Sequence, residues 1–213
     1  MKTNYDEMLM KTIAENDRLG IKPSLLLHAC CAPCSSYVLE CISAHFDVTL
    51  YYYNPNITPE SEFRFRLSEL ERFVFERFVG EAGYGIKVES PTYDANEFFS
   101  CVRGMENLPE GGERCRVCYE LRLRKTAEEA KNRGFDYFTT TLSISPHKNA
   151  VWLNEIGAEL EKKLGVKYLH SDFKKRGGYQ RSIELSRKYS LYRQDYCGCV
   201  FSKAEAEKRR TNK

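Results

Sequence analysis

Leu25-Leu26-Leu27-His28-Ala29-Cys30-Cys31-Ala32-Pro33-Cys34 joins a short apolar run to a turn crowded with thiols. Ser24–His28 is short and apolar enough to be a strand buried on both faces. From Cys34 to Phe46 the apolar residues Val38, Leu39, Ile42 and Phe46 follow helical spacing. A strand feeding directly into a helix is the opening of a parallel α/β unit. The cysteine turn between them should therefore lie at the carboxyl edge of the sheet, where such folds bind their ligands.

The same alternation continues outward. Asp47–Tyr53, Ile86–Glu89, Phe135–Ser143 and Val166–His170 read as further strands. Helices are expected over Glu60–Val79, with Phe63, Leu67, Leu70 and Val74 on one face, and over Asn96–Glu106, Cys115–Arg133, His147–Leu164 and Arg181–Ser190. Gly134 and Gly165 stand where two of these helices should stop. The expected architecture is a single α/β domain over residues 1–213, a parallel sheet flanked by helices, ending in a helical, cysteine-containing segment. Glu106–Glu113, with Pro109, Gly111 and Gly112, reads as a flexible loop.

At 213 residues, with 42% hydrophobic and 30% charged content, the chain has the make-up of a globular protein with a substantial core. No apolar run resembles a signal peptide's or approaches the roughly 20 residues of a membrane helix. The expected location is thus cytoplasmic. In a reducing compartment nine cysteines call for a metal, a redox role or burial rather than disulfides. Cys41 and Cys101 sit among apolar neighbours and are expected to be buried small hydrophobes.

The other cysteines fall into three groups: Cys30-Cys31-Ala32-Pro33-Cys34, Arg114-Cys115-Arg116-Val117-Cys118-Tyr119 and Tyr196-Cys197-Gly198-Cys199. At a helix start, Cys115 and Cys118 can converge on one centre, and Arg114 and Arg116 favour the thiolate form that binds metal. Gly198 lets the chain turn tightly enough for Cys197 and Cys199 to face one site. The vicinal Cys30-Cys31 pair is ill suited to chelating one ion but can serve two neighbouring centres. Four thiolates suit structural zinc and iron–sulfur clusters alike, and spacing does not separate them. A thioredoxin-like use of Cys31 and Cys34 would leave Cys30 and the distant groups unexplained.

Four stretches together resemble the cobalamin-independent epoxyqueuosine reductases (the QueH type). They are Leu25 to Cys34, Arg114 to Tyr119, Thr140-Thr141-Leu142 to Ser145-Pro146-His147-Lys148, and Tyr192-Arg193-Gln194-Asp195-Tyr196-Cys197-Gly198-Cys199. The match extends from about Pro23 to Ser202. The resemblance implies reduction of the epoxide of epoxyqueuosine in the wobble position of tRNA, the last step of queuosine synthesis. It implies a [4Fe-4S] cluster with an adjacent mononuclear iron, and a Rossmann-like sheet related to the nucleotide-binding folds of tRNA-modifying ligases. Cys30, Cys31, Cys115, Cys118, Cys197 and Cys199 are the implied metal ligands, with Cys34 set apart because some relatives carry another residue there.

Removing an epoxide oxygen to leave an alkene takes two electrons, from an external donor, and two protons. Tyr119 and Asp195 are the candidate proton donors, with Tyr196 and His28 also beside cysteines. The net charge of +3 does not by itself argue for a nucleic-acid partner, but basic residues crowd the last quarter of the chain. Lys174, Lys175 and Arg176, in a loop with Gly177 and Gly178, are the expected contacts to the anticodon loop of tRNA. Two other functions compete. An ATP-dependent tRNA thiolase or ligase would need a glycine-rich phosphate loop where Cys30–Cys34 stands. A zinc-stabilised RNA-binding module would be colourless, whereas an iron–sulfur protein is brown.

Overall fold

The computed structural model describes residues 3–211. Five parallel strands form one sheet in the order β3-β2-β1-β4-β5: β1 (Ser24–His28), β2 (Asp47–Tyr51), β3 (Lys87–Glu89), β4 (Tyr137–Thr140) and β5 (Lys167–Tyr168). β1 is central. Its Leu25 and Leu27 enter one core and Leu26 the other, and all three are fully buried. That two-sided burial explains an apolar run without polar alternation. Truncating Leu26 to Ala would cost about 2–5 kcal/mol.

Helices α1 (Tyr5–Leu19), α2 (Ala32–Ile42), α3 (Glu60–Val74) and α7 (Gly178–Lys188) contribute to the core on the Leu25 side. α4 (Ala95–Cys101), α5 (Glu113–Asn132) and α6 (Ala150–Leu164) contribute to the other. α8 (Val200–Thr211) follows the last cysteines and packs Phe201 against Phe98 at 6.3 Å. Among the described residues no helix is long and apolar enough to cross a membrane.

The strands and helices read from the sequence are present, most strands with shorter bounds and the helices with shifted ends. The Phe135–Ser143 stretch is strand only over Tyr137–Thr140, because Thr141–Ile144 tightens into a 3₁₀ turn capped by the Thr140 hydroxyl. The long helix at Glu60–Val79 is α-helical to Val74 and continues as a π-helical stretch, Phe75–Glu81. α1 was not expected. It buries only Leu9, Ile13 and Asn16, a stripe too sparse to stand out in a polar sequence, although Asn4 caps its first turn.

The chain leaves β1 towards β2 on one side and returns through β4 on the other. The carboxyl ends of β1 and β4 therefore mark the switch point of the sheet, where open α/β folds hold their ligands.

Candidate metal centre

At that switch point His28 ends β1 fully buried. Its Nδ1 lies 2.9 Å from the Thr140 hydroxyl and its Nε2 3.1 Å from the Tyr53 carbonyl. A carbonyl only accepts, so Nε2 carries the proton and Nδ1 accepts from Thr140. Burial, reinforced by the nearby Arg122 charge, lowers its pKa to about 3. Neutral and bonded through both nitrogens, His28 ties β1 to its neighbours rather than offering a proton.

The next residues present the thiols. Cys31 takes the N-cap position of α2 in extended conformation, and Pro33 occupies the first turn, where a missing N–H costs nothing. The sulfurs of Cys30 and Cys31 lie 3.8 Å apart, and those of Cys30, Cys31 and Cys34 all fall within 4.8 Å of one another. Sulfurs this close also fit a single ion, beside the two neighbouring centres expected of the vicinal pair. Tetrahedral metal–sulfur bonds of about 2.3 Å place their sulfurs about 3.8 Å apart. Cys34 is correspondingly closer to the site than its separate treatment implied. Hydrogen bonds from Cys30 and Cys34, with Arg66 adding its charge, hold the Cys31 thiol well below its usual pKa.

Cys115 and Cys118 stand in the first turns of α5 and, with Cys197 and Cys199, line a second, small cavity. The Cys115 sulfur accepts from the Gly111 N–H at 3.3 Å, and Cys199 from the Ser202 N–H at 3.4 Å. The turn between Cys197 and Cys199 needs its glycine. Gly198 sits at φ +121°, and a Cβ there would meet Ile57 at 2.9 Å and Arg66 at 3.1 Å. Burial pushes the Cys118 thiol up to about 12. Burial also acts on Cys197, but Lys148 and Arg122 outweigh it and lower that thiol.

Cys197 also lines the main cavity, of about 790 Å³, whose wall includes Cys30, Cys31, Cys34, Asn54, Arg66 and Arg122. The three cysteine groups, remote in sequence, thus meet around two cavities that share Glu110, Arg122 and Cys197.

Buried cations surround them, and most lay outside the sequence reading. Arg66 is 2% exposed, bonded to Glu62 at 2.8 Å and to the Cys197 carbonyl at 3.1 Å. Arg122 is 1% exposed; its Nε donates to the Cys118 carbonyl, and it makes no ion pair among the described residues. One terminal nitrogen of each guanidinium is buried without a partner. Lys148 lies 3.8 Å from Glu110 and is kept charged against its burial by Cys197 and Tyr119. A buried cation without an anion is strongly unfavourable. Soft thiols beside orphaned guanidinium nitrogens are what an anionic, thiolate-ligated metal centre would satisfy. The signal was present in sequence: Arg66 and Arg122 fall at helical spacing from Phe63 and Cys118, charges on otherwise buried helix faces.

Tyr119 is buried beside the four cysteines of the small cavity and, through burial, holds its proton more firmly than usual. Asp195 lines the main cavity but is exposed and paired with Arg210 at 2.6 Å, which lowers its pKa and keeps it a carboxylate. Tyr196 lies beneath the Arg66 guanidinium, 5.1 Å from ring centre to Cζ. Lys174, Lys175 and Arg176 are absent from both cavity walls. Lys174 bonds Asp172 at 2.5 Å, and Arg176 bonds Asp6 of α1 at 2.9 Å. Cys41 and Cys101 are partly buried against the two cores.

A family model described as "Epoxyqueuosine reductase QueH" matches residues 25–205. Proteins of that name from Streptococcus pyogenes serotype M1 and Staphylococcus epidermidis are 45% and 44% identical, each over 94% of this chain and over 78% and 85% of their own lengths. The Thermotoga maritima protein is 39% identical over 85% of this chain and 91% of its own. Among solved structures, the U34-tRNA thiolase NcsA from Methanococcus maripaludis, with its [4Fe-4S] cluster, matches with a TM-score of 0.55. The match covers 93% of this chain and 67% of the thiolase at 13% identity, a likeness of fold.

Proposed function

The chain belongs to the epoxyqueuosine reductase family of the QueH type, and we propose from that premise that it reduces the epoxide of epoxyqueuosine in tRNA to queuosine. The reaction consumes two electrons and two protons, breaks both C–O bonds of the epoxide and releases water. The observation that best supports this reading is the convergence of thiols from two segments, Cys30–Cys34 and Cys197, on a cavity of about 790 Å³, with Cys115 and Cys118 lining the small cavity that shares Cys197 with it. That volume suits a nucleoside turned out of its stack.

A [4Fe-4S] cluster, like that of the fold relative, with an adjacent iron would supply single electrons and polarise the departing oxygen. Cys30, Cys31, Cys115, Cys118, Cys197 and Cys199 would hold these metals, and Cys34 is within reach of the first two. Arg66 and Arg122 stabilise the thiolates by charge. Tyr119, still protonated, can supply a proton. Lys148, beside it and charged, can replenish one. Asp195, held ionised, fixes Arg210 instead. The buried His28 orients the turn and excludes water beneath it.

The thiolase reading shares the fold, but the place of its phosphate loop holds Cys30-Cys31-Ala32-Pro33-Cys34, which has no glycine. The test is anaerobic incubation of metal-loaded protein, a low-potential reductant and tRNA bearing epoxyqueuosine, read by nucleoside mass spectrometry. Conversion to queuosine is expected. Intact epoxide under those conditions would refute the activity.

A further inference from the structure

Lys174 and Arg176, expected to hold RNA, are already matched with Asp172 and Asp6, and their loop does not border the main cavity. Unmatched positive charge borders the cavity itself. Arg193 borders the main cavity, is exposed and makes no ion pair among the described residues. One of its terminal nitrogens donates to the Ser186 hydroxyl at 3.1 Å and approaches the Ser182 carbonyl at 3.5 Å, and its guanidinium lies 5.8 Å from the centre of the Tyr179 ring. Its remaining donors have no protein partner among the described residues. Tyr179, on the first turn of α7, borders the same cavity, as do exposed His147 and Arg209. The Arg209 side chain is 57% exposed and reaches Glu110 at a loose 3.9 Å. Of the other acids on the wall, Asp195 is taken by Arg210, and Glu205 lies 3.5 Å from Arg114.

We propose that Tyr179, Arg193, His147 and Arg209 form the rim that grips the single-stranded anticodon loop of tRNA, with Arg193 and Arg209 on backbone phosphates and the Arg193–Tyr179 pair stacking an unpaired base. This rests on the reductase reading and adds to it the surface that receives the RNA. A guanidinium fixed by a hydroxyl and an aromatic ring loses little freedom on binding, and its planar fork suits phosphate. Unstacked bases are commonly held on aromatic and guanidinium planes, and single-stranded loops are the usual targets of specific RNA recognition. The rim also adjoins the cavity that would take the target base, so phosphate contacts and base entry share one face of the protein.

The experiment uses the full chain and an anticodon stem-loop RNA, with binding followed by fluorescence anisotropy at several salt concentrations. Binding does not require turnover, so it separates this surface from the chemistry. Arg193→Gln with Arg209→Gln should weaken binding at least tenfold and flatten the slope of log affinity against log salt by about 1.4, the loss of two single-strand phosphate contacts. Arg193→Lys alone, which keeps the charge but loses the planar fork, should weaken binding by a few-fold with little change in slope. Lys174→Gln with Lys175→Gln and Arg176→Gln should do less than the double variant. Far-ultraviolet circular dichroism should match the parent for each. A double variant that binds like the parent, or a triple variant that loses more, would overturn the proposed surface while leaving the reductase reading intact. A parent protein that neither binds the stem-loop nor converts tRNA would overturn both.

Discussion

Cys30, Cys31 and Cys34 come from one turn at the end of a central strand, whereas Cys115, Cys118, Cys197 and Cys199 are assembled from α5 and a loop about eighty residues further on. The first group is set by local geometry: a buried strand end, an N-cap and a helical turn bring its sulfurs within 4.8 Å. The second depends on tertiary packing, with Arg66 bonded to the Cys197 carbonyl and Gly198 pressed against Ile57. The contrast implies that damage to long-range packing should disperse the second group and spare the first.

The largest effects should come from the thiolates themselves. Replacing Cys118 or Cys197 by Ala should abolish turnover, a loss of more than a hundredfold, and lower iron per chain. Cys34→Ala should retain metal at the second group and lose activity only in part. If Cys34→Ala were inactive while Cys197→Ala behaved normally, the division between the two groups would be wrong. Iron analysis and single-turnover kinetics provide both readouts.

Next in size are the packing and hydrogen-bond changes. Gly198→Ala forces a side chain into the left-handed region and against Ile57, so a loss of about 2 kcal/mol or more is expected. Its spectroscopic signature should be loss of the metal that Cys197 and Cys199 are proposed to hold. His28→Leu leaves the Thr140 hydroxyl and Tyr53 carbonyl buried without their partner, at a cost of about 1–3 kcal/mol. Urea unfolding measures each. A Gly198→Ala protein with parental stability and metal content would contradict the dependence of the second group on packing. Cys41→Ala and Cys101→Ala should be mildest, about 1 kcal/mol each with activity unchanged.

The same contrast separates what the sequence discloses from what it conceals. The strand–turn–helix at Leu25–Phe46 is legible because periodicity changes within one continuous segment. The three cysteine groups are legible as motifs, and the resemblance they carry agrees with the family. Their meeting around shared cavities depends on the order β3-β2-β1-β4-β5, which no local pattern specifies. Arg66 and Arg122 escape notice because an arginine on a helix is usually solvated; only the placement of α3 and α5 against the site makes these two buried counter-charges. For Lys174 and Arg176 the fold acts in the opposite direction. They form a basic run in the chain, but α1 and the loop's own Asp172 neutralise much of its charge.

The chemistry rests on what the thiols hold. Iron, acid-labile sulfide and zinc should be counted per chain in protein purified without oxygen. A cubane with a neighbouring iron requires about four to five irons, about four acid-labile sulfides and a brown colour. Stoichiometric zinc without sulfide would contradict it and leave the cysteines a structural role.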